Sequence, residues 1–205
     1  MEILHVFLRL IYECTINARF LIKKNSPDIF ESYIKYTLRE DKRLYERIQQ
    51  NVEDDERNLR PIERRMIKSI KRYYDIADYE LDEIDASNKQ NWGNSSVYYR
   101  AKELDMNEAH MLLFSGQSFT IHGNWHDLLL YHLEETDDGN FKPVQDWNPP
   151  KTSVLNSISF LTIPLLKDFI NYLSGEEVEE TNKLYDEIEE RVVLLEYLHE
   201  DFLQK

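Results

Sequence analysis

One cysteine in 205 residues, Cys14, excludes an internal disulfide and with it the stapled architecture of small secreted domains. Glycine and proline are also scarce, 5 and 6, too few turn-formers for a fold of many short strands. No apolar run reaches the roughly 20 residues a membrane-spanning helix needs. The stretch 1–22 is broken by Arg9, Glu13 and Arg19, and 155–173 by Asn156, Pro164, Lys167 and Asp168. Basic charge is outweighed, 25 Lys and Arg against 39 Asp and Glu, and the net charge of -14 repels phosphate at long range. Any contact with nucleic acid or an anionic membrane must therefore be local. No complete catalytic signature stands anywhere in the chain.

What is present is 41% hydrophobic and 31% charged residues, the balance of a packed helical protein. The expectation is an all-α fold: a helical bundle forming a single domain over 1–205, with a long C-terminal helix. With no cationic leader before an uninterrupted apolar run, a cytoplasmic protein without membrane association is expected. No cofactor is indicated.

Leu4, Leu8, Ile11, Thr15, Ala18 and Ile22 recur at helical spacing, and Val6, Ile16 and Phe20 make the other side apolar too. This first helix is expected at the bundle centre. Ser26-Pro27 predicts a second helix to about Gln50, and Pro61 a third to about Ala86. The polar run 87–96 reads as a loop before a short helix over 97–104, and Asn107 as the cap of the helix carrying His110 to His122. Residues 134–152, with Gly139, Pro143, Pro149 and Pro150, read as a flexible loop, a lid or an ordered excursion. Ser174-Gly175-Glu176-Glu177 reads as a capping box opening a docking helix over 176–203.

Two constellations carry chemistry. Arg9 and Glu13 lie one turn apart in apolar surroundings, where an unpaired charge is costly, so they are expected to pair. The pair reads either as a packing device or as an arginine poised to hold an anion. Ser118 and His122 share a helix face, and Gly123 leaves the imidazole at a helix end. Arg9, Glu13, Ser118 and His122 are the candidate catalytic set. A serine-hydrolase reading fails for want of the strand-turn-helix elbow. A metal site built on His122, His126, His132 and Asp127 is weakened by Gly123 and by the missing glutamate of zinc peptidases, so none is expected. His5, His110 and His199 lack partner spacing and read as packing or surface residues.

These residues resemble a widespread, mainly prokaryotic family of unknown function, the one numbered 5677. The resemblance rests on Arg9-x-x-x-Glu13, on Trp92-Gly93-Asn94-Ser95-Ser96, on Tyr99-Arg100-Ala101-Lys102-Glu103-Leu104, and on Phe114 to Gly123 ending in Ser-x-x-x-His-Gly. It covers roughly Leu4 to His132. Phe114 stands where a tyrosine is usual. The helix ending in His is in turn similar to HEPN helical ribonucleases and nucleotide-binding proteins, in which an Arg shortly before a His cleaves RNA without metal. Here Gln117 and Ser118 occupy the arginine's place, so the resemblance implies that Arg9 supplies the cation and His122 the proton transfer.

Arg57, Arg60, Arg64, Lys68 and Lys71 form the concentrated basic patch, with Arg65 and Arg72 beside them. It reads as a phosphate-binding face for RNA or a nucleotide, or as a complement to the acidic last helix within one chain or across a homodimer. Two functions stand: a HEPN-like RNA- or nucleotide-acting protein of a defence or toxin system, and a non-enzymatic protein whose last helix binds a helical partner.

Overall fold

The computed structural model describes residues 2–115, 125, 128, 129, 132–144 and 152–203, and among these the helical periodicity of the sequence becomes seven α-helices, with one β-hairpin. The helices are α1 (Glu2–Lys24), α2 (Pro27–Asp54), α3 (Pro61–Ala77), α4 (Val97–Glu103), α5 (Asn107–Ala109), α6 (Thr152–Ser174) and α7 (Glu179–Leu203). Two compact units result, one from Met1–Lys23 with Val97–Lys205, the other from Lys24–Ser96.

In the first unit α1 buries Leu8, Tyr12, Thr15, Ile16 and Phe20, residues three and four apart on one stripe. Leu8, Tyr12 and Ile16 share a core with Ala101 of α4 and Val154 and Leu161 of α6. Each fully buried aliphatic side chain there stabilises by roughly 1.5–3 kcal/mol. The helix is not enclosed, however. Phe7 and Leu10 are about half exposed and Cys14 is exposed, so the side of α1 that carries these three faces outward, while Ile16 and Phe20 are buried.

Asp105 turns the chain after α4 through a left-handed conformation (φ 58°). Met106, not Asn107, is the cap residue of α5, and no side chain caps it. From His110 to Ser115 the helix continues as a π-helical turn. Residues 133–144 hold more order than a loop. β1 (Leu133–Glu135) pairs antiparallel with β2 (Phe141–Pro143), Glu134 opposite Lys142, and those two form a 3.2 Å ion pair. Gly139, at φ 76°, supplies the backbone conformation the turn requires.

Gly175 (φ 73°) ends α6, donating its N–H to Asn171 at 3.1 Å. The expected capping box is therefore a helix stop. The Asn171 side-chain oxygen accepts from Val178 N–H at 3.0 Å and turns the chain into α7. The two helices run antiparallel, linked by Asn156 with Glu196, Lys167 with Asp186, and Asn171 with Asn182. By length and composition α6 is the one helix among the described residues able to cross a membrane; within it, Asp168 pairs with Arg19 at 2.5 Å.

The second unit is a helical hairpin. Leu38 of α2 packs with Ile70 and Tyr74 of α3 and with Ile84, and the Tyr74 hydroxyl donates to the Leu38 carbonyl at 2.8 Å. α3 stops at Ala77, short of the expected Ala86, because Asp78 adopts a left-handed conformation (φ 58°). Three cations of α2 hold the segment that follows. Lys42 donates to the carbonyl of Ile84 at 2.7 Å, Arg43 to that of Ala86 at 2.8 Å, and Arg39 to that of Gln90 at 2.7 Å. Trp92 closes the hairpin, buried edge-on against Tyr33 at 5.0 Å, while Gly93 N–H donates to the Ser32 hydroxyl at 2.9 Å.

The start of α3 hangs on one carboxylate. Glu63 accepts both guanidinium arms of Arg57 at 2.8 Å and the Arg60 backbone N–H at 2.8 Å. These bonds, Arg57 first, bring its pKa from 4.5 to about 2. Because the folded value is depressed, the stabilisation is complete above pH 4.5 and disappears as pH falls towards 2. Thermal melts across that window should show a steep loss in the wild type and a flatter profile in Glu63→Gln; superimposable profiles would show that the grip contributes nothing.

Candidate functional site

Arg9, Tyr12 and Glu13 occupy successive positions around one turn of α1. Opposite them, the π-helical turn presents His110 and Phe114. A π turn is wider than an α turn, and it brings those two rings into a stack at 4.8 Å and 23°. The Arg9 guanidinium lies over the Phe114 face, 4.3 Å from its centroid, within cation–π range. Tyr12 leans on both rings, 5.8 Å from His110 and 6.0 Å from Phe114, and Tyr98 meets His110 edge-on at 5.4 Å.

The expected ion pair is not formed: among the described residues no ion pair joins Arg9 to Glu13. The cause is the aromatic face, which claims the guanidinium from a different element, while the Arg-before-Glu order is the weaker one on a helix. Arg9 is half-buried, so its stem is desolvated while its donors stay available.

Behind Arg9 lie two buried polar groups. Tyr12 is 0% exposed and His110 8%, and neither the Tyr12 hydroxyl nor His110 Nδ1 meets a hydrogen-bond partner among the described residues. Burial pushes the tyrosine pKa up and the histidine pKa down, so both are neutral at neutral pH. An unsatisfied buried polar group costs about 1–3 kcal/mol. Neither residue stood out in the sequence. His110 finds its partners on α1, on α4 and through π-turn spacing, none of which an α-helical spacing search reveals.

Ser118 and His122 lie outside the described residues, as do His126 and Asp127. Among the described residues no group of three or more His, Cys, Asp or Glu is set to hold a metal. The basic patch divides. Arg57 is locked onto Glu63 and onto Asp55 at 2.9 Å, so it holds the α2–α3 connection together, and Arg60 is the N-cap residue of α3. Arg64, Lys68 and Lys71 are exposed, as are Arg65 and Arg72.

Three parts of the motif have places among the described residues: Arg9 in the cluster, Trp92 to Ser96 closing the hairpin, Ala101 in the core. Residues 3–141 match the model of a family described as "Family of unknown function (DUF5677)". The chain belongs to this family. The DUF5677 match takes in the whole Arg9 cluster and ends in β2, so α6 and α7 lie beyond it. No curated protein and no solved structure matches the chain.

Tyr12→Phe removes a hydroxyl that no described residue satisfies, so it should leave stability unchanged or raise it by about 1 kcal/mol in urea denaturation. A loss of comparable size would instead reveal a partner for that hydroxyl.

Proposed function

We propose that the protein binds and acts on a phosphate-bearing substrate, RNA or a nucleotide, in the manner of HEPN-like helical proteins. The observation that carries this reading is Arg9, a half-buried cation seated on Phe114 with no ion pair to Glu13. A guanidinium held by its face keeps its N–H edge for an anion. Arg9 is the anion-holding group and His122 the proton-transfer group, with Glu13 and Ser118 completing the set. His122 accepts the proton of a ribose 2′-hydroxyl as that oxygen attacks the neighbouring phosphorus. The bond from phosphorus to the 5′-oxygen breaks, the leaving oxygen takes up a proton, and a 2′,3′-cyclic phosphate remains. Arg9 offsets the charge that builds on the phosphoryl oxygens. The net charge of -14 makes such binding local and sensitive to salt.

The second reading is a non-enzymatic helical interaction protein in which the cluster serves packing. α7 favours it, since none of its side chains is buried.

Incubation with single-stranded RNA, and titration with a fluorescent ATP analogue, separate the two. Arg9→Ala should cut cleavage about a hundredfold or more, His122→Ala by about a hundredfold to ten-thousandfold, and Arg9→Lys should recover only part because the planar fork is lost. Intact RNA together with no nucleotide binding by the wild type would remove the first reading and leave the second.

A further inference from the structure

α6 has three sides, and two of them are occupied. Val154, Ile158 and Leu161 turn into the core shared with α1 and α4, and Asp168 turns towards Arg19. Asn156, Lys167 and Asn171 reach α7. The third side carries Leu155, Leu166, Phe169 and Leu173, all exposed, Leu173 by 67%. Although α6 is apolar enough to cross a membrane, only 22% of its most apolar stretch is buried, so much of its apolar surface lies uncovered. A continuous exposed apolar surface of this kind marks a place made to be covered.

With Ser159 and Thr162 between Leu155 and Leu166, the side reads Leu155, Ser159, Thr162, Leu166, Phe169, Leu173, at spacings of four, three, four, three and four. That is the seam of a helix that packs along another helix. Its two small residues form a notch. Ser159 donates its hydroxyl to the Leu155 carbonyl at 3.1 Å and Thr162 to the Ile158 carbonyl at 2.9 Å, so neither carries an unmet donor into a dry contact. Laid antiparallel on a second copy of itself, about a two-fold axis between Thr162 and Leu166, the seam closes in a single register. Leu155 lies opposite Leu173, Ser159 opposite Phe169 and Thr162 opposite Leu166, each pair occurring twice by symmetry. The bulky residues of the middle turns meet small ones, as interdigitating layers require, and no seam residue is left over along a contact about 27 Å long. Charge favours this face over the others. Lys167 and Asp168 are the only charged residues of α6, and both are paired within the chain, to Asp186 and Arg19. α7 is also apolar on its exposed side, but Glu180, Glu187 and Glu190 stand exposed along it, and two such helices repel. A lipid surface, for its part, has no use for a notch or for heptad spacing.

We propose that this protein forms a two-fold dimer through the exposed seam of α6, packed antiparallel on the same helix of a second copy, with Phe169 of each copy seated on Ser159 of the other. The contact lies within one helix of the first unit. It is independent of the Arg9 cluster and stands whether or not that cluster turns over a substrate.

Sedimentation velocity of the full chain at about 100 µM tests this. The wild type should be dimeric, and the dimer should tighten as salt screens the repulsion between two acidic copies. Leu166→Glu with Phe169→Glu should abolish it. Ser159→Phe, which adds apolar surface but fills the notch, should weaken it about tenfold or more, and adding Phe169→Ser should restore it by exchanging the two members of one layer. Orientation is read in a Cys14→Ser background. A Ser159→Cys chain and a Phe169→Cys chain should cross-link on oxidation when mixed, and neither should cross-link alone, since two copies of either position lie about 15 Å apart along the pair. Circular dichroism on each variant verifies that the helices remain. A wild type monomeric throughout, a dimer that Ser159→Phe leaves unchanged or tightens, a folded exchange variant that stays monomeric, or a Ser159→Cys chain that cross-links to itself overturns the proposal. A monomer that floats with phosphatidylcholine vesicles, and no longer does so as Leu166→Glu with Phe169→Glu, overturns it too, since it would assign the face to lipid.

Discussion

The first unit depends on the burial of a single stripe of α1, Leu8, Tyr12 and Ile16, against residues from far along the chain, Ala101, Val154 and Leu161. Ala101, Val154 and Leu161 gain a common core only by converging on it. The same stripe brings Tyr12 under the π-helical turn. Its phenol enters the core with no hydrogen-bond partner among the described residues, at a cost of about 1–3 kcal/mol. Burying Leu8 and Ile16 beside it contributes roughly 1.5–3 kcal/mol each, so the stripe can carry one such defect. It also aims Arg9 at Phe114, and the cluster is in that sense a by-product of the core.

How far the sequence reveals this can be judged residue by residue. The helical class follows from 3.6-residue periodicity and scarce turn residues, and Pro27 and Pro61 mark two helix starts where they stand. Helix ends are less legible. Asp78 and Gly175 terminate α3 and α6 through left-handed backbone, and an aspartate in that conformation carries no spacing signature. Ser174 to Glu177 satisfies the residue pattern of a helix start, yet what operates there is the glycine stop, a difference of dihedral angle that composition does not encode. The hairpin of β1 and β2 is hidden because three-residue strands are too short to show alternation.

The candidate site is legible in part. Arg9 is recognisable as unusual because it interrupts an apolar helix, but its partner is not the carboxylate one turn away. A contact with Phe114 depends on the π-helical turn, whose register no periodicity analysis anticipates. Phe114, unremarkable in the sequence as one more apolar residue, supplies in the structure the face on which a cation rests. Arg57 shows the converse: an apparent member of a basic surface is spent on Glu63, and only the three-dimensional bond reveals it.

The grip of Arg39, Lys42 and Arg43 on residues 84–90 reaches only main-chain oxygens. Every amino acid offers the same oxygen, so this grip does not select side chains; those that matter in the segment are Ile84, for its place in the core, and Asp85 and Asn88, which accept from Ser87 and Gln90 N–H at 2.9 and 2.8 Å. Sequence drift at the other positions would leave this grip intact, whereas loss of one of the three α2 cations would loosen it whatever the segment's composition.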